Sequence, residues 1–248
     1  MNILIFDWGN TLMQVLPGQA GPMYLWSEVL AVSGAGQTLA ELSKDHSIFI
    51  ATNAGDYDAA QVRMALGRVQ LDRYIDKIFT NNEVGWNKNK PEFYLRLSES
   101  LHREPIELIM IGDDFEQDVK TAHMARLKTV WFNPQGKNNL NELPVQTGEI
   151  HQLSEIRSLL TQGFLPELDA CDSLLTECKV PDNVRRHTAA VAVLAYHLAD
   201  KLKAKNINVD PILVHRAAYL HDIDKMITDK PAAHGHLSAG ILREWGQP

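Results

Sequence analysis

The chain has 248 residues, 45% of them hydrophobic and 22% charged, with a formal net charge of −7. That length holds one large or two small domains, and the composition is that of a globular protein. The acidic balance argues against duplex DNA as the main partner, since duplex binding needs a basic face. Two cysteines, Cys171 and Cys178, form no disulfide framework and no CxxC pair, so a reduced, cytoplasmic setting is expected. No basic-then-apolar leader opens the sequence, and no stretch approaches the ~20 apolar residues a membrane span needs, so no membrane partner is expected.

In chain order, Ile3–Asp7 is an apolar run ending in a carboxylate, which predicts a buried parallel strand. Residues 23–43 contain two helical patches broken at Ser33-Gly34-Ala35-Gly36. Ser47–Ala51 is a second strand ending at Thr52, followed by a helix over 57–68. Lys77–Thr80 is a third strand. Pro91 opens a helix running to about Leu101, proline being tolerated in a first turn. Glu107–Ile111 is a fourth strand ending at Gly112-Asp113. A helix over about 116–125, a fifth strand at Lys128–Phe132, a short sixth at Glu149-Ile150 and a helix at 153–160 complete the pattern.

Alternating strands and helices predict an α/β fold with a doubly wound parallel sheet. Ligands of such sheets bind at the carboxyl ends of the strands. Asp7, Thr52 and Asp113 all fall there. Residues 163–181, with Gly163, Pro166 and Pro181, look like a linker holding one short helix. From Asp182 onward only helices are expected, at about 183–204, 210–222 and 234–244. The expected division is therefore a first domain over 1–162, a linker over 163–181 and an all-α domain over 182–248.

Phe6-Asp7-Trp8-Gly9-Asn10-Thr11-Leu12 resembles the first motif of the haloacid dehalogenase superfamily, an apolar strand followed by Asp-x-Asp-x-Thr. Ile50-Ala51-Thr52-Asn53 resembles its second motif. Ile111-Gly112-Asp113 through Asp118 resembles its fourth. For the third motif, a lysine, two residues compete. Lys90 directly precedes Pro91, whereas Lys88-Asn89-Lys90-Pro91-Glu92-Phe93 matches the Lys-Pro-x-Pro-Glu-x-Phe register with Asn89 in place of the first proline; this register favours Lys88.

The resemblance implies a Mg²⁺-dependent phosphohydrolase acting on a phosphate monoester. Asp7 would be the nucleophile, forming an aspartyl-phosphate. Thr52, Asn53 and Lys88 would bind the phosphoryl oxygens as charge redistributes. Asp7, the Gly9 carbonyl, Asp113 and Asp118 would hold the metal, with Asp114 as a neighbouring alternative to Asp118. One departure is plain: where phosphatases of this family carry a second aspartate as general acid/base, this chain has Gly9. Losing such a group costs ~10²–10⁴ in rate. The stretches between Asp7 and Thr52, and between Thr52 and Lys88, are short for an inserted cap, so a capless domain with an open crevice is expected.

Farther on, Arg186-His187, His221-Asp222 with Lys225, and His234-Gly235-His236 resemble the HD superfamily of metal-dependent phosphohydrolases. That resemblance implies a helix-borne site of His187, His221, Asp222 and His234 (His236 being the alternative) for Mn²⁺, Fe²⁺ or Ni²⁺. The family's final aspartate, on a later helix, finds no counterpart, so this domain is expected to be incomplete. Two phosphate-handling folds in one chain suggest a phosphorylated small molecule, a nucleotide or an RNA end as substrate. The rival expectation is a catalytically weakened regulatory protein that binds phosphate ligands, as Gly9 would allow.

Overall fold

The computed structural model describes residues 1–53, 55, 57–137, 144–205, 207–227 and 235–245. They form two compact units, the first comprising Met1–Lys137 and Gly148–Gly163, the second comprising residues 144–147 and Phe164 onward.

The first unit is built on six strands: β1 (Ile3–Phe6), β2 (Ser47–Thr52), β3 (Lys77–Thr80), β4 (Leu108–Gly112), β5 (Lys128–Phe132) and β6 (Gly148–Ile150). All pair in parallel, in the order β3-β2-β1-β4-β5-β6. Parallel strands covered on both faces need continuous apolar runs, and β4 is buried at every position. The order reverses across β1, between β2 and β4, so the topological switch point lies at the end of β1, where Asp7 begins the first loop. The Asp7 N–H still donates to the Ile111 carbonyl at 2.8 Å, holding this residue in the ladder one step past the strand.

Helices of this unit are α1 (Ala35–Leu42), α2 (Ala59–Arg68), the single turn α3 (Asn81–Val84), α4 (Pro91–Leu101), α5 (Ala122–Met124) and α6 (Glu155–Gln162). Local chemistry sets their starts. Asp58 and Gln61 form a reciprocal capping box on α2, and Pro91 occupies the first turn of α4. One face of the sheet packs Ile5, Ala51, Phe79 and Met110 against Phe93, Tyr94 and Leu97 of α4. Of the two helical patches expected over 23–43, only α1 is an α-helix; the first is a 3₁₀ turn at Met23–Leu25. After this turn the chain pairs with the first loop instead, the Gln14 N–H donating to the Leu30 carbonyl and the Val32 N–H to the Leu12 carbonyl, each at 2.9 Å. The helix expected over 116–125 is a π-helical segment at Phe115–Thr121 that tightens into α5. Between β1 and β2 the described residues hold no cap beyond the 3₁₀ turn and α1.

The second unit contains α7 (Leu168–Glu177), α8 (Asp182–Lys203), α9 (Pro211–Leu220) and α10 (His236–Glu244). Here the expected linker needs correction. Its short helix, α7, buries Cys171, Leu174 and Leu175 in one cluster with Val180, Leu220 and Ile223, so it belongs to the core of the helical unit. Asp210 caps α9 by accepting from the N–H groups of Ile212 and Leu213, and Pro211 follows in the first turn. Arg216 of α9 is buried. Its Nε donates to the Pro166 carbonyl at 2.8 Å, and its Nη2 donates to the carbonyls of Pro144 and Gln146 at 2.7 and 3.3 Å. No helix among the described residues is long and apolar enough to cross a membrane.

Candidate active site and candidate metal centre

The carboxyl ends of β1, β2 and β4 gather Asp7, Thr52 and Asp113 around a cavity of about 580 Å³. After β1 the chain winds tightly, with Leu12 and Met13 N–H groups both donating to the Trp8 carbonyl. Asn10 takes the left-handed conformation (φ 55°), which asparagine tolerates. The winding tucks Thr11 beneath Asp113: the Thr11 hydroxyl donates to Asp113 Oδ1 and accepts from the Asp113 N–H, each at 3.2 Å.

Lys88 is the centre of the charge arrangement. It is buried, and its Nζ lies 2.5 Å from Asp7 Oδ1 and 2.5 Å from Asp118 Oδ1. Lys90, its rival by sequence, is exposed and precedes the first turn of α4. Burial alone would lower the Lys88 pKa, but Asp118 and Asp7 more than offset it and hold the ammonium charged. Burial pushes the Asp118 carboxyl up to about 8, against the pull of Lys88. Burial, and then the nearby Asp7, raise Asp113 as well.

Asp7, Asp113 and Asp118 each bring a carboxylate oxygen within 4.8 Å of the others. Three hard oxygen donors suit Mg²⁺. Gly112 is required by this packing, because a Cβ there would fall 2.1 Å from Asp118 Oδ2. Asp114, the alternative to Asp118, serves otherwise: both its oxygens accept from Gln117, through the backbone N–H (3.0 Å) and the side-chain amide (2.7 Å).

Thr52 is buried at the end of β2 and lines the cavity. Asn53 accepts from the Lys88 N–H at 2.8 Å and donates to Gln117 Oε1 at 2.5 Å. The second, third and fourth motifs are thus tied by one amide chain. Gln117 was not apparent from sequence, and only its position one residue before Asp118 hinted at it. Thr11 belongs to the first motif, yet its bond to Asp113 depends on the fold. Met23, Trp26 and Tyr57, which no motif marks, join Trp8 in the cavity wall.

In the helical unit, His187 of α8 and His221-Asp222, just past α9, bring ligand atoms within 4.8 Å of one another. The two imidazole rings lie 5.7 Å apart, centroid to centroid. His221 Nδ1 is 2.7 Å from the Ala218 carbonyl, which can only accept, so Nδ1 is the donor of this bond. Nε2 is 3.4 Å from Asp222 Oδ1. Ser238 of α10 donates to the His221 carbonyl at 3.0 Å. Two imidazoles and a carboxylate suit a transition metal. His234 lies outside the described residues; its alternative His236 begins α10 and is exposed, as is Lys225.

Residues 25–132 match the family described as haloacid dehalogenase-like hydrolase, and residues 184–248 match the HD domain. The chain is 32% identical over 161 residues to ribulose-1,5-bisphosphate 5-phosphatase of Halopiger xanaduensis, covering 61% of this chain and 64% of the relative. It is 28% identical over 123 residues to N-acylneuraminate-9-phosphatase of Mus musculus, covering 49% of this chain and 48% of the relative. The chain thus spans less than two thirds of either curated relative. A solved structure of a protein from Listeria monocytogenes serotype 4b is similar in fold, with a TM-score of 0.55 at 22% identity over 65% of this chain and 98% of that one.

Proposed function

We propose that this chain, a haloacid dehalogenase-like hydrolase domain followed by an HD domain, is a phosphohydrolase whose first domain cleaves phosphate monoesters through an aspartyl-phosphate on Asp7. The observation that carries this reading is the buried Lys88, held between Asp7 and Asp118 at the carboxyl edge of the sheet. In this reading Asp7 Oδ attacks phosphorus, while the Lys88 ammonium and the Thr52 hydroxyl bind the phosphoryl oxygens as charge moves onto them. Asn53 steadies the backbone of Lys88. Asp7, Asp113, Asp118 and the Gly9 carbonyl would hold Mg²⁺, which lowers the charge repulsion between a carboxylate nucleophile and a phosphate dianion. Relatives named for sugar-phosphate and nucleotide hydrolysis support a small phosphorylated substrate.

The test is phosphate release from a panel of phosphorylated metabolites with Mg²⁺, repeated with Asp7→Asn. Activity that vanishes in the variant supports the assignment; activity that persists removes Asp7 as the nucleophile.

The same chain carries a second candidate site, His187, His221 and Asp222, and we propose that it binds Mn²⁺, Fe²⁺ or Ni²⁺ for an HD-type phosphohydrolase reaction. A regulatory reading, in which the first domain binds phosphate ligands without turnover, is favoured by one residue, Gly9. Absence of turnover across the panel, with retained phosphate-ligand binding, would select it.

A further inference from the structure

Asp114 and Gln117 open the π-helical segment with the same Asp-x-x-Gln pattern that Asp58 and Gln61 place at the start of α2. At α2 the glutamine turns back, its Oε1 accepting from the Asp58 N–H at 3.1 Å, which completes a capping box. Gln117 does not. The Asp114 N–H donates to Asp118 Oδ2 at 3.2 Å instead, which frees the Gln117 amide for other partners. Its Nε2 donates to Asp114 Oδ2 at 2.7 Å, and its Oε1 accepts from Asn53 Nδ2 at 2.5 Å. Asn53 Oδ1 accepts from the Lys88 N–H at 2.8 Å, and the Lys88 ammonium lies 2.5 Å from Asp118 Oδ1. Lys88, Asn53, Gln117, Asp114 and Asp118 thus close a ring that holds Lys88 by its backbone and by its side chain. The ring has one sense. A carboxylate accepts at Asp114 and a backbone N–H donates at Lys88, so each amide between them has a single orientation that satisfies both its ends.

Resting on the phosphatase reading, we propose that Gln117 is a positioning residue for phosphoryl transfer: through Asn53 and Asp114 it fixes the backbone from which the Lys88 ammonium reaches the transferring oxygens. Helix capping does not need this side chain, because the Gln117 backbone N–H already donates to Asp114 Oδ1 at 3.0 Å. The backbone of Gln117 is also held from the other side, its carbonyl accepting from the hydroxyl of buried Tyr94 at 2.9 Å. Changing the Gln117 side chain therefore opens the ring and leaves the segment that carries Asp118 in place. An opened ring lets the Lys88 backbone drift, and a misplacement of ~1 Å at a reacting centre costs ~10²-fold in rate.

The experiment exchanges donor and acceptor within the ring. Gln117→Glu sets two carboxylates against each other, and Asp114→Asn sets one amide N–H against another. Together the two substitutions rebuild every bond of the ring, with one reversed in direction and the net charge unchanged. With the full chain, Mg²⁺ and 4-nitrophenyl phosphate, each single variant should lose ~10–10²-fold in kcat/KM, and the double variant should return to within ~3-fold of the parent. Gln117→Met, which keeps the length and removes both bonds, should cost as much as Gln117→Glu. Adding Asn53→Ala to Gln117→Met should cost little more than Asn53→Ala alone, because losses within one unit do not multiply. Hydrogen exchange at the Lys88 amide reads the ring without turnover: it should be faster in Gln117→Met and parental in the double variant. A double variant as slow as the singles, losses from Asn53→Ala and Gln117→Met that multiply, or Lys88 exchange unmoved by Gln117→Met would each overturn the proposal. If the parent itself releases no phosphate in an Asp7-dependent way, it is the phosphatase reading that fails, and the positioning role falls with it.

Discussion

Replacing Lys88 with methionine removes one positive charge from the most crowded electrostatic position in the protein while keeping most of its volume. Three carboxylates then face one another with oxygens within 4.8 Å. At an effective dielectric constant of about 20, one such repulsion is worth about 3 kcal/mol. Breaking a buried ion pair by deleting one partner costs ~3–5 kcal/mol, and Lys88 has two. The protein can limit the loss by protonating Asp118, whose carboxyl already stands at about 8 through burial. A carboxyl raised in the folded state binds protons more tightly there than in the unfolded chain, so its destabilisation grows as pH rises from about 4 toward 8. Lys88→Met should therefore lose ~3–5 kcal/mol at pH 8 and less at pH 5. Urea unfolding followed by the fluorescence of buried Trp8, Trp26 and Trp131 measures it. Mg²⁺ should restore more stability to the variant than to the parent, since the ion replaces the missing charge. A loss below about 1 kcal/mol at pH 8, or no extra Mg²⁺ response, would refute the account.

Gly112→Ala should abolish phosphatase activity and Mg²⁺-induced stabilisation together, because the new Cβ overlaps the buried Asp118 carboxylate; activity and thermal shifts check it. His215 is buried, and burial with the adjacent Arg216 lowers its pKa to about 4 from an ordinary 6.5. A histidine lowered in the folded state contributes its stability above about 6.5 and loses it as pH falls toward 4, so the helical unit should weaken by ~3 kcal/mol over that window. His215→Gln should flatten that dependence in acid-unfolding curves followed by circular dichroism. His221→Ala should lose transition metal retained after purification, measured by elemental analysis, and leave the first domain's kcat unchanged.

Much of the first unit was legible because each strand is a short apolar run closed by a polar residue, and parallel sheets place such residues on one edge. Asp7, Thr52 and Asp113 could be assigned to that edge without coordinates. The choice of Lys88 over Lys90 rested on a register of residues and became a matter of burial only in three dimensions. What sequence withheld depends on partners distant in the chain. Nothing near Gln117 in sequence says that it joins Asn53 to Asp114. Arg216 looks like a surface residue until the carbonyls of Pro144, Gln146 and Pro166 surround it. The helix α7 hid in a stretch flanked by Gly163 and Pro181, punctuation that resembles a linker although its apolar side is fully covered. The 3₁₀ turn at Met23–Leu25 is too short to leave a periodic signal, yet it supplies a wall of the cavity.

The donors of Arg216 have a consequence for anyone who wishes to take the protein apart. Pro144–Thr147 lies between β5 and β6, yet it groups with the helical unit, and its carbonyls are served by a guanidinium more than sixty positions later. The polypeptide is stitched, passing out of the sheet's territory and back before leaving it for good at Phe164. Severing it after Gly163 would therefore not yield two whole halves. The amino-terminal piece would carry bare carbonyls once satisfied by Arg216, and the carboxyl-terminal piece would keep a buried cation short of two acceptors, each orphan group costing on the order of 1–3 kcal/mol.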